Sequence, residues 1–100
     1  MYNILWEFFV KPGSEAEFEK HYEGDGTWAQ FFRRGKGYVT SHLFRDVSNP
    51  LHFITLDQWN SQEQFQNFQN ENGEEYYSID KLCESLTIRE VRLSEWISEE

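Results

Sequence analysis

One hundred residues suffice for one domain with a modest core, and with Cys83 as the single cysteine no internal disulfide can staple it, which points to a reducing compartment. Aromatic residues make up 18% of the chain (Phe 9, Tyr 5, Trp 4), too many for a disordered acidic tail. The 18 acidic residues against 9 basic ones give a net charge of -9, which excludes a general nucleic-acid binder and an anionic membrane surface as the main partner.

No apolar run approaches the roughly 18–20 residues of a membrane span, and Met1-Tyr2-Asn3 shows neither the charged region nor the cleavage site of a signal peptide. A small, soluble, cytoplasmic domain is expected. Tyr2 to Val10 is rich in aromatic and β-favouring residues and stops at Lys11-Pro12-Gly13, so it reads as a strand. Ile4, Trp6, Phe8 and Val10 point one way and Asn3, Leu5, Glu7 and Phe9 the other. Both faces carry apolar side chains, unlike a sheet with one wet side. Ser14 with Glu17 has capping-box spacing, and Phe18 and Tyr22 lie one turn apart on the helix that follows. Gly24-Asp25-Gly26 interrupts it; helical spacing resumes from Thr27 to Arg34 with Trp28, Phe31 and Phe32 on one side, and Gly35 is expected to close it.

Tyr38 to Asp46 and Leu51 to Trp59 read as two strands of an antiparallel hairpin joined by Val47-Ser48-Asn49-Pro50. Ser61 with Gln64 repeats the capping-box spacing ahead of Phe65 and Phe68. Asn70-Glu71-Asn72-Gly73 breaks this helix, a second helical run carries Tyr76, Ile79, Leu82 or Cys83, and Leu86, and Ile88 to Ile97 closes the chain as a strand. The order β-α-β-β-α-β is the ferredoxin-like α+β arrangement, with an antiparallel four-stranded sheet. Two helical layers cannot cover both faces of that sheet. A second copy of the chain is the cheapest cover, so a homodimer that pairs sheet against sheet is expected, with the final strand in its interface. The alternative is a monomer with unusually aromatic exposed strands.

Three stretches, ILWEFFVKPGSEAEFEKHY, GTWAQFFRRGKGY and TLDQWNSQEQFQNF, resemble the antibiotic biosynthesis monooxygenase family of dimeric α+β barrels. The similarity runs from about Tyr2 to Ile97, within a single domain of that type over residues 1–100. The junction formed by Asp57, Trp59, Ser61 and Phe65 is its more distinctive part; the Pro12-Gly13 turn is common to many folds of this topology. The resemblance implies a sheet-to-sheet dimer with a pocket in each subunit between sheet and helices. Its members include cofactor-independent oxygenases of polycyclic phenols and quinols, and haem-degrading enzymes. The haem-degrading branch does not fit. Asn3 lies too early on its strand, Phe68 stands where a Trp would be expected, and no His follows Leu56.

The residues themselves show no metal spacing among His21, His42 and His52, although His42 and His52 could meet across the hairpin. Cys83 lies in a helical stripe and reads as a small buried hydrophobe. No phosphate loop and no nucleophile triad is readable, Arg33-Arg34 fits a helix C-terminus, and no cofactor is expected. What remains is an aromatic and polar set. Trp59 ends the third strand with Asp57 two residues earlier on the same face; Trp28, Phe32, Phe65, Phe68 and Tyr76 come from the helical segments. A cofactor-free oxygenase needs an apolar pocket for a planar phenol and a base to generate its electron-rich anion. His42 and Asp57 are the candidate bases, Trp59 completes the candidate catalytic set, and the other five are candidate pocket walls. The competing reading is that the rings are only core. Two functions therefore stand open: an oxygenase acting on an aromatic small molecule, and a non-catalytic dimeric barrel that binds a small ligand or a protein.

Overall fold

The computed structural model describes residues 1–99. Its elements are β1 Tyr2–Val10, α1 Glu15–Tyr22, α2 Thr27–Phe32, β2 Tyr38–Arg45, β3 His52–Trp59, α3 Gln62–Glu71, α4 Gly73–Glu84 and β4 Thr87–Ile97. The strands form one antiparallel sheet in the order β2-β3-β1-β4, the ferredoxin-like arrangement with each helical crossover split in two. Every strand lies within a residue or so of its expected bounds.

Side-chain alternation decides what the helices cover. Tyr2, Ile4, Phe8 and Val10 of β1 and Phe53, Thr55 and Trp59 of β3 are buried, and the β1–β3 register puts them on one face. Against that face pack two ring clusters. One gathers Tyr2, Ile4, Trp28, Phe31, Phe32, Trp59, Phe65 and Phe68; the other gathers Phe8, Val10, Phe18 and Phe53. Burying each such side chain contributes about 1.5–3 kcal/mol. Trp6 and Tyr22, both half-buried, touch both clusters and bridge them.

Of three local expectations, two need correction and one holds. The Ser14–Glu17 capping box does not form: Ser14 has φ -102°, ψ 6°, outside the extended region that aims a cap hydroxyl at the first turn, and Glu17 instead meets His21 Nε2 at 3.1 Å. Ser61, extended at φ -151°, ψ 157°, does accept from the Gln64 amide at 3.2 Å. Gly35 is not a left-handed cap, since positive φ occurs only at Gly13 and Gly37 among the described residues. It is needed for close approach, because a Cβ there would lie 2.6 Å from Phe68 Cδ1 and 2.8 Å from the Trp59 ring.

The histidines do not converge. His42 pairs with Leu56 and His52 with Phe9 in the strand registers. His52 is engaged by Asp46 and Glu7, each at 2.8 Å, and His21 by Thr27 and Glu17. Cys83 is buried.

Candidate active site

Beside the residues that bridge the two ring clusters, a cavity of about 260 Å³ opens between the sheet and the helices. Its walls are aromatic: Trp6 and Phe8 from β1, Tyr22 from α1, Trp28 and Phe32 from α2, and Tyr76 from α4. Ser41, Thr55 and Asp57 supply a polar strip on the sheet side. Asp80 of α4 and Glu90 of β4, both exposed, stand at the mouth.

The polar strip follows from strand pairing. Ser41 of β2 lies directly opposite Asp57 of β3 and Leu43 opposite Thr55, so these side chains share the helix-facing surface. Ser41 Oγ donates to Asp57 Oδ1 at 2.7 Å, and the Tyr38 hydroxyl donates to Ser41 Oγ at 2.9 Å. A register irregularity between Tyr38 and Thr40 brings Tyr38 onto the same side as Ser41. Burial pushes the Asp57 carboxyl up to about 6, with the Ser41 hydrogen bond opposing the rise. Burial likewise holds the Tyr76 phenol up at about 12 and raises that of Tyr22. At neutral pH both phenols are therefore neutral donors, while Asp57 is the cavity group that exchanges a proton in the working range.

Of the residues expected to form a site, Asp57, Trp28, Phe32 and Tyr76 meet at this cavity. Trp59 does not line it. Its ring is fully buried among Phe32, Tyr38, Phe65 and Phe68, at centroid distances of 5.3–5.7 Å. Phe65 and Phe68 belong to the same packed cluster, outside the cavity lining. His42 is exposed and points to the opposite face of the sheet, beside Phe44 at 6.2 Å. The parity of β2 decides this: Ser41 and Leu43 face the helices, so His42 between them cannot.

Sequence reasoning missed Trp6, Tyr22, Ser41, Asp80 and Glu90. Ser41 had a usable signal, since pairing the hairpin from its short loop places it across from Asp57. Asp80 and Glu90 had none, because a helix and a strand meet there only through the packing of the whole layer.

The sequence model of the antibiotic biosynthesis monooxygenase family matches residues 1–76. Among curated proteins no significant match exists. A mutant form of SnoaB, a cofactor-independent oxygenase from Streptomyces nogalater, superposes with a TM-score of 0.82 at 19% identity, over 99% of this chain and 93% of that one. A provisionally assigned antibiotic biosynthesis monooxygenase from Deinococcus radiodurans gives 0.77 at 17% identity, over 100% and 94%. A similar protein from Bordetella bronchiseptica gives 0.75 at 18%, over 99% and 97%. At these identities the likeness is one of fold.

Proposed function

Because the chain belongs to the antibiotic biosynthesis monooxygenase family, we propose that it oxygenates a planar phenol or quinol in the cavity between sheet and helices, using the substrate's own electrons to reduce dioxygen. The observation that carries this reading is a single shielded carboxylate, Asp57, facing an aromatic-walled cavity. The cavity of about 260 Å³ lies just below the range of roughly 300–1,000 Å³ typical of small-molecule sites, which suits a ligand of about two or three fused rings.

Asp57 accepts the phenolic proton, and the resulting anion adds dioxygen at a ring carbon, forming a C–O bond. The Asp57 proton passes to the peroxide. Loss of the C–H proton at that carbon then breaks the O–O bond, leaving a quinone carbonyl and one water. A base that titrates at about 6 would take a proton from an ordinary phenol near 10 only at a cost of ~5 kcal/mol. The reading therefore selects acidic phenols, such as those conjugated to a carbonyl. Ser41 and Tyr38 hold the carboxylate in place, and the ring walls keep bulk water from the anion.

His42, away from the cavity, has no part in this proposal, and Trp59 enters only as packing beneath the site. The assembly proposed with it is a homodimer joined through the open sheet face. That face carries Phe44, 53% exposed, and Trp96, 58% exposed, beside half-buried Leu5, Phe9, Ile54 and Leu56, an apolar surface of a kind that monomers rarely leave bare.

Aerobic and anaerobic incubation with a panel of carbonyl-conjugated quinols tests the activity. Oxygen-dependent quinone formation that rises with pH through about 6, and is lost in Asp57→Asn, is expected. A panel member that binds in the cavity but consumes no oxygen would favour the non-catalytic binding barrel instead.

A further inference from the structure

The cavity is electrostatically one-sided. Three carboxylates line it, Asp57 within and Asp80 and Glu90 at the mouth, and no Lys, Arg or His does. None of the three has an ion-pair partner among the described residues. Although Glu90 is exposed as a residue, partial shielding of its carboxyl from water raises it, and the charge of Asp80 raises it further, so the pair at the mouth is repulsive as it stands. A metal ion does not answer this charge, since among the described residues no three ligating side chains converge.

The walls point the same way. Tyr22 packs on Trp28 at 6.2 Å and Trp28 on Tyr76 at 5.1 Å, which gives a corner of electron-rich rings beside the acids, the setting in which an organic cation is held by ring faces as well as by charge. Trp28 is 9% exposed and presents its ring to the cavity as part of this wall.

We propose that the ligand of this cavity is an aromatic ammonium compound. Its fused ring lies against Trp6, Trp28 and Tyr76, its phenolic hydroxyl faces Asp57, and its protonated amine sits between Asp80 and Glu90. The inference rests on the reading of the cavity as an aromatic-ligand site and names the substrate class. It also excludes carboxylated substrates, because a fourth anion beside three carboxylates is repelled.

Three naphthols that differ only in one substituent, aminomethyl, hydroxymethyl or carboxylate, separate the possibilities by titration calorimetry. The ammonium compound is expected to bind about tenfold or more tighter than the neutral one, a difference of ~1.4 kcal/mol, with the carboxylate weakest. The preference should shrink as salt is raised. It should vanish in the Asp80→Asn, Glu90→Gln double variant, which should bind the ammonium and the neutral naphthol alike. Equal binding of ammonium and neutral compounds, a preference for the carboxylate, or binding of none of the three overturns the inference. Because salt dependence is read on the unmodified protein, a variant that fails to fold does not protect it. Oxygen uptake is followed alongside: turnover without ammonium preference sinks this inference and leaves the oxygenase reading intact, and ammonium preference without turnover does the reverse.

Discussion

Ser41 and Asp57 sit opposite one another on adjacent strands, and the serine hydroxyl donates to the half-buried carboxylate at 2.7 Å. It is the one side-chain hydrogen bond opposing the rise in pKa that burial imposes on Asp57. A hydrogen bond to a charged group contributes about 1.5–3 kcal/mol. Ser41→Ala should therefore move the pH midpoint of kcat/KM upward by about one unit, so that activity falls more at pH 6 than at pH 8. A pH–rate profile of the variant checks this; a uniform loss at all pH values would mean that Ser41 acts only by packing.

Asp57 should also weaken the fold at neutral pH. Its carboxyl rises from 3.8 to about 6 on folding, so between those values the folded state holds more protons than the unfolded one, and stability falls as pH rises. Below about pH 3 both states are mostly protonated and the penalty disappears. Asp57→Asn, which still accepts from Ser41, should thus stabilise the protein by about 1–3 kcal/mol at pH 8 and by almost nothing at about pH 3. Denaturant unfolding at the two pH values measures it. Greater stability together with lost turnover would mark a position where activity and folding pull apart.

Gly35→Ala tests the packing beneath the cavity. The added methyl would sit 2.6 Å from Phe68 Cδ1 and 2.8 Å from the Trp59 ring, and both rings are buried. Overpacking of this kind costs about 1–3 kcal/mol, which a lowered denaturation midpoint with an unchanged m-value would report.

Phe44 is placed to test assembly. On the open sheet face it is 53% exposed, and a charge there would have to be buried between two copies. Sedimentation at micromolar concentration should give twice the 12.1 kDa chain mass for the unmodified protein and the single-chain mass for Phe44→Lys. A 12.1 kDa species for the unmodified protein would remove the dimer.

The strands were legible because their ends carry turn chemistry: Pro12-Gly13 after β1 and Ser48-Asn49-Pro50 between β2 and β3. The side-chain parity of β1 and β3 was legible too, since the pairing keeps regular alternation between them. In β2 it was not. Tyr38, His42 and Phe44 look like one face in the sequence, but the irregularity between Tyr38 and Thr40 leaves Tyr38 with the helices and the other two on the open side. Asp57 could be placed from its position two residues before Trp59. That Trp59 is packed shut while Trp28 borders open space could not, because a cavity is defined by where side chains from separate elements stop short of each other. The same limit hid Asp80 and Glu90, which lie ten positions apart on a helix and a strand.

The tryptophans fall in three distinct settings, and this gives the chain its own optical reporters. Trp59 is fully enclosed with no hydrogen-bond partner for its Nε1, so its emission should lie far to the blue and report only unfolding. Trp6 and Trp28 border the cavity and should be quenched or shifted by whatever enters it. Trp96 stands on the open sheet face, 58% exposed, with emission near that of free indole until another surface covers it. Variants keeping one tryptophan each would let melting, ligand entry and self-association be followed separately, by colour, in a single cuvette.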